Sequence, residues 1–213
     1  YNHLQGDNAW GFQNTCGLVC CEAILRQSGV DVTEADLAQY AREHGLCHIE
    51  GDLAACGGTH DEAQAWLLRD YGVPAHAETL TSVQELAEYV ESGKRCIVEV
   101  NQGVLCDDAS LYGQGDANHA VVITGVARDP LTHQLQGFFI NDSWTDESNK
   151  FVDAAVMEAS CVDAGGACVV ADNVDLSQQR FDPQTMTIGG HWKKVPVYVD
   201  GHWTSDDYVW IGD

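Results

Sequence analysis

Apolar residues recur at helical spacing through most of the first half of the chain and at strand spacing after it. Residues 16–28 carry Leu18, Cys21, Ala23, Ile24 and Leu25, the pattern of a largely buried helix, and Gly29 closes it. Thr33-Glu34-Ala35-Asp36 has the form of a capping box, opening a helix that reaches about His44 and ends at Gly45. A third helix, opened by Thr59 or Asp61, presents Ala63, Trp66, Leu67 and Leu68 and stops at Gly72-Val73-Pro74. Ser82-Val83-Gln84-Glu85 is a second capping box, for a helix running to Gly93.

The texture then changes. Residues 96–100, 119–127 and 135–141 read as Val- and Ile-rich strands, the last two joined into a hairpin by Asp129-Pro130 and Thr132-His133. Residues 150–159 suit a short helix, 167–171 a Val-rich strand, and a Trp/Tyr-rich hairpin centres on Asp200-Gly201. Residues 1–15 are rich in Gly, Asn and Gln and irregular, and there is no internal repeat. The pattern predicts an α+β fold, a helical half packed on an antiparallel sheet. Residues 1–150 form its main domain, and 151–213 a β-rich extension packed on it.

Charge narrows the partners. Thirty-three acids against ten bases give a formal charge of −23, which repels phosphate backbones and anionic lipid, so neither nucleic acid nor a membrane is an expected partner. The same charge keeps the chain soluble and offers an acidic face to a basic partner. No apolar run is long enough to span a bilayer and no signal peptide is visible. The chain opens at Tyr1 without methionine, as a domain cut from a longer protein would. Nine cysteines are an odd count in a domain too large to need disulfide staples, and Cys20, Cys21 and Cys96 sit in apolar patterns as small hydrophobes do. A mostly reduced protein working in a cytosol is expected, with Cys161 and Cys168 the pair spaced for a bridge.

Three short segments carry chemistry. Gln13-Asn14-Thr15-Cys16-Gly17 runs straight into the first helix, Asn118-His119-Ala120-Val121 opens a strand, and Ile140-Asn141-Asp142-Ser143-Trp144 ends the next one. A thiol is a strong nucleophile only as thiolate, favoured by a helix N-terminus and an adjacent imidazolium. Cys16 and His119 supply the pair, and Asp142 is placed to orient the imidazole. The oxyanion donors would be the Cys16 backbone N–H and a side-chain amide from the glutamine-containing stretch before it. Each residue alone has a plainer reading, as a packing cysteine, a core histidine and a turn carboxylate; their order and their places at element ends argue for acyl transfer. His44, Cys47, His48, Cys56 and His60 match no ordinary zinc spacing and read as a loop near the active-site rim.

Here the chain resembles a family. Asn118-His119-Ala120-Val121 resembles the histidine strand of the papain-like cysteine peptidase superfamily, and Asp142-Ser143-Trp144 its Asn-Ser-Trp segment with Asp in place of Asn. Cys16-Gly17 resembles the bacteriocin-processing branch. The longer pattern Gln5-Gly6-x-Asn8…Gly11…Thr15-Cys16-Gly17-Leu18-Val19 resembles papain-like domains at the ends of bacterial polymorphic toxins and secreted effectors. The resemblance covers about residues 5–150. The family's oxyanion glutamine commonly lies about six residues before the nucleophile, where this chain has Trp10; Gln5 fits the effector-type pattern and is taken as the donor, with Gln13 the nearer alternative. The segment Gln13-x-x-Cys16-Gly17 also resembles the stretch that in papain precedes a nucleophile a few residues later, which makes Cys20 the runner-up, disfavoured by its place inside the apolar helix.

The resemblance implies a papain-like cysteine hydrolase that needs no cofactor or metal and acts on a protein substrate through a thioester acyl-enzyme. It implies a bacterial effector or toxin domain, delivered as part of a larger protein into a target-cell cytosol and matched by an immunity protein. Glutamine deamidation and transglutaminase-type acyl transfer use the same triad, and a non-catalytic binding module would keep the fold alone.

Overall fold

A computed structural model describes residues 1–145 and 147–177 in full, and the backbone of residues 190–199 and 202–212. The chain divides into a compact unit from Tyr1 to Gln178 and a second from Gln179 to Asp213. The first is α+β. Its six-stranded antiparallel sheet comprises β1 (Ala75–Thr79), β2 (Arg95–Val100), β3 (His119–Arg128), β4 (Leu135–Asp142), β5 (Glu147–Asp153) and β6 (Ala167–Ala171), in the order β1-β6-β2-β3-β4-β5.

Strand alternation gives the sheet two buried faces. Val98, Val100, Val121, Ile123, Phe138, Ile140 and Val170 share one core cluster with Leu86 of α4 (Val83–Glu91) and with Met157 and Cys161, which follow β5. Ile97, Val122 and Val169 alternate to the other face, where α1 (Cys16–Gln27) lies on β2 and β3 and α3 (Asp61–Asp70) on β1 and β6. α1 is buried almost all round, from Cys16 to Leu25. Even Glu22 is 1% exposed, held by His3 Nε2 at 2.8 Å.

The caps follow the sequence closely. α2 (Glu34–His44) opens with a reciprocal box, Thr33 Oγ1 accepting from Asp36 N while Asp36 accepts from Thr33 N, and Gly45 ends it in the left-handed region at φ 67°. At α4 only half the box forms. Ser82 Oγ accepts from Glu85 N, but the Glu85 carboxylate takes the Thr81 N–H instead. In the β3–β4 turn, Asp129 Oδ1 accepts from the N–H groups of Leu131 and Thr132.

Several expectations change. β1 holds no Val or Ile; register with β6, Ala77 opposite Val169, recruits it. A short helix not expected from the pattern, α5 (Gln102–Cys106), precedes β3. Residues 150–159 begin as strand, because Phe151 and Val152 pair with Phe139 and Phe138 of β4. Helix starts there only at α6 (Ala154–Met157), which runs on into a π-helical turn, Glu158–Val162. The boundary expected at residue 150 gives way to a first unit reaching Gln178, because β6 fills the slot between β1 and β2. All nine cysteines are free thiols, Cys161 and Cys168 included, both fully buried in the core. The hairpin around Asp200-Gly201 takes the form of β7 (Gly190–Val199) paired with β8 (His202–Gly212), with its aromatic side chains outside the described residues.

Candidate active site

Antiparallel order brings the last residue of β2, the first of β3 and the last of β4 to one end of the sheet, with Val100 opposite His119. Val122 faces Asn141 and Ile123 faces Ile140. Continuing that register sets Asp142 opposite Val121, so His119 and Asp142 share a face as a diagonal cross-strand pair. Their side chains meet: His119 Nε2 lies 2.8 Å from Asp142 Oδ1, with both groups almost fully buried. The same Oδ1 accepts the Trp144 backbone N–H at 2.9 Å, fixing the carboxylate as the chain leaves β4. With Nε2 engaged, Nδ1 is the ring nitrogen left for Cys16, whose thiol is hydrogen-bonded to His119.

The electrostatics reflect that contact. Burial alone would push His119 down, but the bonds to Asp142 and Cys16 outweigh it and lift the imidazole to about 9. Burial pushes Asp142 upward, yet the His119 bond and charge and the Trp144 N–H hold its carboxyl below the usual range. A charged imidazole beside Cys16 is the state this arrangement favours at neutral pH.

Cys16 is the first residue of α1, so its N–H has no acceptor within the helix and faces outward with the helix dipole. Gly17 permits the close approach of α1 to the start of α3. A Cβ there would lie 2.2 Å from Thr59 Oγ1 and 2.6 Å from Gln64 Nε2. Cys20, one turn further along, is 3% exposed and its thiol is driven well up by burial, the environment of an inert thiol.

Gln5 is drawn to the same end of the sheet. Its backbone N–H donates to Ser143 O at 3.0 Å, its side-chain carbonyl accepts from Ser143 Oγ at 3.1 Å, and Nε2 donates one N–H to Gln13 O at 2.6 Å. Gln13 itself donates to Gly11 O. Neither glutamine lines the cavity of about 190 Å³ beside Cys16 and His119; Asn14, Gly58, Thr59, Glu99 and Asn118 are among the residues that do. Asn14 and Glu99 were missed in the sequence. Asn14 carried no signal beyond lying two residues before Cys16, whereas Glu99 was visible as a lone carboxylate in Cys96-Ile97-Val98-Glu99-Val100. The segment from Cys47 to Cys56 is a loop whose ends are tied by His48 N to Gly58 O and Gly57 N to His48 O, and it delivers Gly58 and Thr59 to the cavity. Among the described residues no group of three His, Cys, Asp or Glu side chains could hold a metal ion.

Residues 1–165 match the model of the Peptidase_C39 like family. No curated protein matches the sequence. Solved structures do. A putative C39-like peptidase from Bacillus anthracis superimposes with a TM-score of 0.56 at 17% identity, over 79% of this chain and 92% of that one. The peptidase domain of Streptococcus ComA, a bifunctional ABC transporter involved in quorum sensing, gives 0.51 at 14% identity, over 75% and 92%. A double-glycine-motif protease from an AMS/PCAT transporter, solved with its leader peptide, gives 0.47 at 16%, over 80% and 90%.

Proposed function

Because the chain belongs to the Peptidase_C39 like family and is a papain-like cysteine peptidase, we propose that it cleaves peptide bonds with Cys16 as nucleophile, His119 as general base and acid, and Asp142 as the group that orients the imidazole. The observation that carries this is the His119 ring, bonded to Asp142 at 2.8 Å on one side and to the Cys16 thiol on the other, at the wall of a cavity.

Transfer of the Cys16 proton to His119 leaves the sulfur as thiolate, which attacks the scissile carbonyl carbon, and the resulting oxyanion is received by the Cys16 N–H together with the second N–H of the Gln5 amide. His119 passes its proton to the departing amine, leaving a thioester on Cys16. It then takes a proton from water, whose oxygen attacks the thioester carbonyl; the sulfur leaves as thiolate beside the restored imidazolium, and the product acid gives its proton to solvent. Asp142 keeps its charge throughout and holds the ring with Nδ1 toward sulfur.

The resemblance of Gln5-Gly6 to Val19 to effector-borne domains supports a bacterial effector or toxin role in a target-cell cytosol, with an immunity protein as partner. Free cysteines throughout are consistent with a reducing compartment. The test is expression in bacteria of wild type and Cys16→Ala under tight control, followed by growth and proteome mass spectrometry. New protein termini that vanish with Cys16→Ala support the reading. Amide-to-acid conversion at glutamine side chains instead would replace it with deamidation, and new amine-linked adducts would replace it with acyl transfer.

A further inference from the structure

Glu99 stands on β2 opposite Ala120, next to His119 in β3, and lines the same cavity as Cys16 and His119. It is the one carboxylate among the lining residues. Its position is built. Glu99 Oε1 accepts from Gln64 Nε2 at 3.2 Å, and the Asp61 backbone N–H, at the start of α3, also donates to the carboxylate. Gln64 is fully buried and is anchored in turn by Thr59, through the carbonyl oxygen at 3.4 Å and Oγ1 at 3.2 Å. Gly17 leaves the space these side chains occupy.

Among the described residues no ion pair includes Glu99, and burial together with the nearby Asp61 pushes its carboxyl up to about 7. The one positive group lining the cavity, His119, is already matched by Asp142 at 2.8 Å. A carboxylate held by neutral donors in a partly desolvated cavity can still accept a charge-assisted bond. The volume, about 190 Å³, holds roughly six waters, which suits one long side chain and not a whole small-molecule ligand.

We propose that this cavity is a specificity subsite for a substrate side chain ending in an amine or a guanidinium, with Glu99 as its ion partner. The proposal rests on the peptidase reading for the identity of the occupant. The formal charge of −23 would draw basic segments toward the mouth, and Glu99 would select among them at the bond to be cut.

Two measurements test it. The first is cleavage profiling of a peptide library by wild type and Glu99→Gln, a near-isosteric change that keeps an oxygen to accept from Gln64 Nε2 and removes the charge. Wild type should favour Lys or Arg at one position beside the scissile bond over norleucine by about 10–100-fold, and Glu99→Gln should erase most of that preference. The second needs no peptidase activity. The rate at which Cys16 is modified by cationic 2-aminoethyl methanethiosulfonate is divided by the rate with neutral methyl methanethiosulfonate, reading the Cys16 peptide by mass spectrometry. Glu99→Gln should lower that ratio about tenfold. Peptides cut without basic preference, or a reagent ratio unmoved by Glu99→Gln, would overturn the subsite and leave the peptidase standing. A ratio that falls in a protein that cuts no peptide would support the subsite and remove the peptidase reading.

Discussion

Replacing Asp142 by Ala removes the carboxylate bonded to His119 Nε2, and with it the partner that keeps the imidazole charged. His119 sits at about 9 although burial alone would lower it, so its elevation comes from Asp142 and Cys16. Without Asp142, burial lowers the imidazole against Cys16 alone, and it should fall toward its ordinary 6.5. At pH 7.5 a group at about 9 is roughly 97% charged, and one at about 6.5 is roughly 9% charged. Loss of the imidazolium therefore removes about tenfold of Cys16 reactivity, before any cost of a ring free to turn. The assay is the rate of Cys16 alkylation by neutral iodoacetamide as a function of pH, in wild type, Asp142→Asn and Asp142→Ala. Wild type should lose its imidazolium-dependent reactivity only through about pH 9, the alanine variant at a pH shifted from there toward 6.5, and the asparagine variant between the two, since its amide oxygen still accepts the Nε2 proton. The same pair sets a stability window. With a folded value above the unfolded one, His119 adds stability that is complete below about pH 6.5 and is lost as pH rises through about 9. A basic limb that stays near 9 in Asp142→Ala would show that Cys16 or another group charges the ring without the carboxylate, and the role given to Asp142 would fall.

Gln5→Ala should lower kcat by about 100-fold with KM little changed if its free N–H meets the oxyanion, and Asn14→Ala should not; the reverse result in steady-state kinetics would transfer the role to Asn14. Gly17→Ala forces a Cβ against Thr59 and Gln64 and should destabilise by about 1–3 kcal/mol in urea unfolding; an unchanged midpoint would show that α1 and α3 can part without strain. Glu99→Gln should stabilise the fold increasingly as pH rises from about 5 to about 8, because a carboxyl raised to about 7 in the folded state disfavours folding once it must ionise. Thermal melts across that range check it, and equal shifts at both ends would contradict it.

The parts of the fold legible in the sequence are those that local chemistry decides. The Thr33–Asp36 box, the left-handed Gly45 and the Asp129 turn each act within four residues, and all are where the pattern put them. The apolar strands of the core were equally clear, because Val and Ile at alternate positions fit a pleated buried surface. β1 was not, since its partner lies far along the chain, Ala75 against Ala171; β5 was not, because Glu147-Ser148-Asn149-Lys150 carries no apolar alternation and only pairing with β4 makes it a strand. The expected site divides the same way. His119 and Asp142 were legible because neighbouring strands in a hairpin bring their ends together. Gln64 and Glu99 meet across 35 residues, and no local pattern announces a glutamine that anchors a carboxylate on another element.

β6 gives the molecule an order of events. It lies between β1 and β2, and past it Asp172 N binds Pro74 O, Leu176 N binds Ser28 O, and Asn173 Oδ1 takes the Arg95 guanidinium. A chain emerging from a ribosome presents Cys16 early, yet the sheet that seats His119 stays open along β2 until residue 171 has arrived. Sequence separation of this size slows closure. The thiol is therefore made before the fold that would arm it, and a chain stopped short of residue 171 would leave β2 without its β6 partner.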